Sequence, residues 1–143
     1  MAFIFTLKFL KIATVSLLIF VLLDFLWLAV VASNMYRQSL GYLADLDPDG
    51  KIIFNIPMGL LAQLAISITL SVFISLVLQI DNRLVTALGS GAFLGLMMYV
   101  TYDFTNLSFV KGWPLWISLI DVTWGAAQGA LAGLYVYYFT RWF

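Results

Sequence analysis

Four stretches of this chain are each long enough to cross a bilayer and nearly free of charge, and no other feature limits the fold as much. A helix needs about 20 mostly apolar residues to span roughly 30 Å of hydrocarbon. Residues 12–32 carry one charge, Asp24, and residues 52–80 carry none. Residues 84–106 carry Asp103 alone and residues 113–140 carry Asp121 alone. The connections at Asp81-Asn82-Arg83 and at residues 107–112 are short, which makes antiparallel neighbours. The reading is an all-α fold, a membrane-spanning four-helix up-down bundle that forms a single domain over residues 1–143. Only the extramembrane loop 33–51 is long enough to fold over one end.

Composition agrees. Of 143 residues, 64% are hydrophobic and 10% charged, against about 25% charged in soluble domains. Zero net charge and the lack of a basic run argue against a nucleic-acid partner, and none is expected. With no cysteine, disulfides and thiolate metal sites are excluded; with no histidine, so is the commonest metal ligand. No cofactor or metal is expected. The first apolar run follows Lys8 and Lys11 as a signal peptide would, but its length, Asp24 and Trp27 argue against cleavage. Lysine and arginine fall four against three on the two sides: Lys8, Lys11, Arg83 and Arg141 against Arg37, Lys51 and Lys111. The first set, with its two amino-terminal lysines, points to cytoplasmic termini.

Helices in lipid associate through small residues and interhelical hydrogen bonds. Gly125, Gly129 and Gly133 recur every four residues, as do Ala87, Gly91 and Gly95. Asn55, Gly59, Gln63, Ser67, Ser71, Ser75 and Gln79 make a third seam at that step. Residues four apart share a helix face, so each seam is expected to turn towards a neighbour. Gln63, in mid-membrane, has no local backbone partner.

The seams lead outward to the acids. Gly91, Gly95, Tyr99 and Asp103 continue one step, with Asn106 three beyond; Asp121 stands four before Gly125, with Trp124 and Gln128 on its face; Asp24 shares a face with Trp27. At 1.5 Å per residue, Asp103 is expected roughly 5 Å deep and Asp24 and Asp121 roughly 12–15 Å deep. Three aspartates converging in the outer half of the bundle cost several kcal/mol unless partnered, at about 2.5–3.5 kcal/mol for each acid near the bilayer centre. Intramembrane acids read as functional by default. The candidate ligand-binding set is Asp24, Trp27, Tyr99, Asp103, Asn106, Asp121, Trp124 and Gln128. Lys111 is a candidate counter-ion for Asp103, and Tyr36, Tyr102, Trp113 and Trp116 are candidate hydrogen-bond donors.

Asp24-x-x-Trp27-Leu28 followed by Tyr36, the segment Tyr99-Val100-Thr101-Tyr102-Asp103-Phe104-Thr105-Asn106, and Trp113-Pro114 with Asp121-x-x-Trp124-Gly125 together carry a resemblance. The chain resembles a bacterial membrane-protein family catalogued as domain of unknown function 2177. The resemblance implies a four-pass protein of the bacterial inner membrane and brings no activity or substrate with it. The two Asp-x-x-Trp motifs also echo one another between the first and last helices.

The residues suggest a protein that binds or transports a cation or a small amphipathic molecule, in the bilayer and as a homo-oligomer or within a larger membrane complex. One alternative is an accessory subunit of such a complex. The other is a membrane enzyme acting on lipid or isoprenoid, with two aspartates as acid and base, although no Cys or His nucleophile or base is present. In the loop, Asp45, Asp47 and Asp49 before Gly50 match the first half of a calcium loop. Its closing Glu is replaced by Ile56, so the segment reads as an Asp-Gly turn.

Overall fold

The computed structural model describes residues 6–143. Five helices follow one another: α1 Leu7–Leu26, α2 Ser33–Leu40, α3 Ile56–Ile80, α4 Leu84–Phe109 and α5 Leu115–Trp142. A π-helical turn, Trp27–Val31, prolongs α1. No strand occurs among the described residues, only an isolated bridge between Leu46 and Ile52. The chain is an all-α helical bundle. Three helices, Leu7–Val31, Ile56–Ile80 and Leu84–Phe109, are long and apolar enough to cross a membrane. At 28 residues α5 also has the length, but Asp121, Gln128 and its glycines dilute its apolar character.

The helix starts differ from those read off the sequence for local reasons. The first begins at Leu7 rather than Ile12, because the Thr6 hydroxyl accepts the Phe9 N–H and caps the helix. Lys8 and Lys11 therefore lie inside α1. Their long stems carry the charge to the bundle end, where Lys8 Nζ donates to Thr140 O at 2.7 Å and Lys11 sits over the Phe143 ring. The next long helix starts at Ile56 rather than Ile52. The Asn55 side chain accepts the Met58 N–H at 3.3 Å, and Pro57 occupies the first turn, where its missing N–H costs nothing. Residues 33–51 are not all loop, since Ser33–Leu40 form α2. Asp47 turns the chain as an Asp-Gly turn: its carbonyl accepts Gly50 N–H at 2.9 Å and its carboxylate accepts Lys51 N–H at 2.7 Å.

The scaffold is the α4–α5 pair. A Cβ added at Gly91 or Gly95 would run into the carbonyl oxygen of Gly129 or Gly125. One at Gly129 or Gly133 would run into that of Gly91 or Ala87. The two backbones therefore touch directly, as small-residue seams allow in lipid. Helix α1 packs on α3 and α5, and a core of Ile12, Phe20, Leu70, Ile74, Leu78, Ala132 and Val136 fills the junction. The termini of α1 and α5 share one end with the α3–α4 turn, where Arg141 donates to Asn82 at 2.9 Å. In that turn Arg83 and Asp81 pair at 2.6 Å. With Thr86 also donating, this holds the Asp81 carboxyl below its usual range.

At the other end α3 leaves the bundle. Its buried residues, Ser67, Leu70, Ser71, Ile74, Ser75 and Leu78, all lie from Ser67 onward, and Ile56–Ala62 are exposed. The expected seam on this helix packs only from Ser67 onward. Gly59 is not a packing glycine, because a Cβ there would meet open space.

Candidate functional site

Where α3 parts from α4, a cavity of about 740 Å³ opens. Helix α1 and α5 form its back, and α2 and the segment after it its roof, with Tyr36, Leu40, Ile52 and Phe54 on the wall. Tyr42 donates to Gly112 O at 2.9 Å and pins this roof to the α4–α5 turn. The flank between α3 and α4 carries exposed Ala62, Thr101 and Tyr102, a side opening towards the surroundings of the bundle. Asp24, Asp103 and Asp121 all line the cavity.

The two Asp-x-x-Trp motifs meet. Trp27 and Trp124 stack at 4.4 Å between centroids, with planes 6° apart. Trp124 Nε1 donates across the interface to Asp24 at 3.1 Å. Trp27 Nε1 donates to the Tyr36 hydroxyl at 3.2 Å, and Tyr36 in turn donates to Asp121. Each indole thus serves the other motif's aspartate, once directly and once through Tyr36. The π turn begins at Trp27. Such turns are rare and often mark functional positions.

The three acids differ in their partners. Asp24 also accepts from the Gln63 side chain, so both its oxygens are occupied. Asp121 accepts from Tyr36. Asp103 is fully buried and neither oxygen has a hydrogen-bond partner. Ser118 and Trp113 stand beside it as its nearest polar neighbours; Trp113 Nε1 donates to Ser118 Oγ at 3.0 Å, which leaves the Ser118 hydroxyl proton as the one local donor able to turn towards Asp103. Lys111 does not neutralise it: the one ion pair among the described residues is Arg83–Asp81. Among the described residues, no three acids are grouped closely enough to share a metal ion.

The other candidates divide. Tyr99 lines the cavity and donates to Gln128 at 3.2 Å; Gln128 lies behind it, donating to Phe20 O at 3.3 Å, and does not reach the wall. Asn106 is off the wall as well, with its buried amide nitrogen unpartnered. Two residues outside the candidate set matter more. Gln63 holds Asp24, and Tyr36 bridges Trp27 to Asp121. The signal for Gln63 was its isolation in an apolar run. Tyr36 was marked by its place after Asp24-x-x-Trp27-Leu28 in the family resemblance and by its capacity to donate, but its role depends on α2 folding back.

The fold and this cavity define a class: a membrane protein of apolar helices with an aspartate-bearing, aromatic-walled chamber between them. Within that class, the family model described as "Predicted membrane protein (DUF2177)" matches residues 9–138, and the chain belongs to this family. No curated protein and no solved structure matches it significantly.

Proposed function

We propose that this protein binds an amphipathic molecule with a cationic amine head, taken from the bilayer into the chamber beneath α2. The observation that carries the proposal is Asp103, a fully buried carboxyl group on the chamber wall with both oxygens unpartnered. An unsatisfied buried polar group costs about 1–3 kcal/mol, more when charged. A cationic donor would relieve that cost. The walls suit such a guest, since aromatic faces attract cations within about 6 Å. Trp27, Tyr99, Tyr102, Trp113 and Trp124 all contribute. The side opening between α3 and α4 admits a molecule already dissolved in lipid.

The setting belongs to the same proposal. Helix α5 is the fourth span, because it lies against α4 from Ser118 beside Asp103 to Gly133 beside Ala87. Lys8, Lys11, Arg83 and Arg141 gather at one end and Arg37, Lys51 and Lys111 at the other. The four-against-three excess supports termini in the cytoplasm and the roof outside, and the family resemblance supports a bacterial inner membrane.

The test is thermal melting in nanodiscs of zwitterionic lipid with dodecylammonium as probe and dodecanoate as control. Dodecylammonium is expected to raise the melting temperature increasingly with concentration, as mass action requires. Asp103→Asn keeps volume and polarity and is expected to remove that shift. An equal shift in Asp103→Asn, or an equal shift with dodecanoate, overturns the proposal.

A further inference from the structure

The chamber is not the only space beside Asp24. A groove of about 160 Å³ runs between α1 and the amino-terminal half of α3, lined by Phe25, Phe54, Ile56, Gly59 and Leu60. Asp24, Leu28, Phe54 and Gln63 line both the groove and the chamber. The Gln63–Asp24 hydrogen bond is therefore a partition with a compartment on each side. Beyond it the groove is apolar and faces the lipid zone: Phe25 and Ile56 are 62% and 61% exposed. Its size is close to that of an apolar cavity of about 150 Å³ that takes a benzene-sized guest. A head group with its water does not fit there, whereas several carbons of one hydrocarbon chain do.

We infer that this groove holds the chain of the amphiphile whose head sits at Asp103, with the chain crossing beside the Gln63–Asp24 partition. This rests on the head-group proposal. Three observations support the chain as occupant: continuity with the chamber through four shared residues, an apolar wall open to lipid, and the state of Gly59. Every glycine of the α4–α5 seam excludes a Cβ through contact with the facing helix, whereas a Cβ at Gly59 meets nothing within 4 Å. Gly59 lies within α3 and costs helix stability of about 0.5–1 kcal/mol relative to Ala, yet no neighbouring backbone requires it. A Cβ at Gly89 would also meet open space, but Gly59 lines the groove and Gly89 lines neither space.

The same feature makes the test clean, because a side chain at position 59 fills the groove without entering the packed half of the bundle. Binding of dodecylammonium and of propylammonium is measured by tryptophan fluorescence in zwitterionic nanodiscs, for wild type, Gly59→Ala and Gly59→Leu. Gly59→Leu is expected to weaken dodecylammonium at least tenfold and to leave propylammonium within twofold, with the melting temperature unchanged. Gly59→Ala is expected to have a smaller effect in the same direction. If Gly59→Leu weakens both probes equally, or neither, the chain does not lie in the groove, while the head site at Asp103 stands. If wild type binds neither amine, the head-group proposal has failed and this one with it.

Discussion

In the half of the bundle nearer the chain termini α3 packs on its neighbours; beneath α2 it parts from them while α4 and α5 stay together, and there the polar groups collect. Glycine stands in a seam of four-residue step on each side of the contrast, as a run along α4 and α5 and singly, as Gly59, on α3. Gly91, Gly95, Gly125, Gly129 and Gly133 have no room for a methyl group, whereas Gly59 has nothing opposite it. The aspartates repeat the contrast within the open half. Both oxygens of Asp24 are held, by Trp124 and Gln63, whereas neither oxygen of Asp103 accepts a well-formed hydrogen bond. One residue type at one spacing thus serves closure or opening according to what stands across from it.

The largest effect is expected where the backbones touch. Gly129→Leu forces α4 and α5 apart and is expected to cost about 3 kcal/mol or more, seen as a melting temperature at least ~10 °C lower. Gly59→Leu is expected to melt within about 3 °C of wild type. Equal losses at the two positions would erase the distinction between packed and open glycines.

A smaller effect separates the acids. Asp24→Asn gives up a carboxylate that receives two hydrogen bonds and is expected to lose about 1–2 kcal/mol, since bonds to charged groups are the stronger ones. Asp103→Asn removes an unpartnered carboxyl and is expected to melt at or above wild type. If Asp103→Asn falls as far as Asp24→Asn, Asp103 is a structural residue and the contrast between them fails.

The mildest change asks only which end faces which side. The chain has no native cysteine, so single cysteines at Gln38 and Asn82 can be probed in intact cells with an impermeant thiol reagent. Labelling at position 38 and not at position 82 is expected. The reverse would place the chamber roof in the cytoplasm.

Much of the architecture is legible in the residues because lipid imposes simple rules. The long helices follow from apolar runs with at most one charge each, and the α4–α5 seam from its four-residue glycine step, since close packing is the main attraction left between helices in hydrocarbon. Less was legible at the site. Faces and rough depths brought Asp24, Asp103 and Asp121 to one region, but nothing local distinguishes an aspartate that finds Trp124 from one that finds no partner. The Asp-x-x-Trp echo spans only four residues in each helix. It gains meaning from the stacking of Trp27 on Trp124, a contact between helices almost a whole chain apart.

By itself the sequence determined that this chain is a helical membrane protein with three acids in apolar runs, because the cost of charge in hydrocarbon depends only on local composition. Only the tertiary structure decided that α3 leaves the bundle before Ser67, that α2 folds over the gap, and that Gln63 divides the space behind it. Those outcomes depend on which surfaces meet. Two backbones that touch at Gly129 hold α4 and α5 together along their length, and α3, with no such seam in its first half, is left to stand apart.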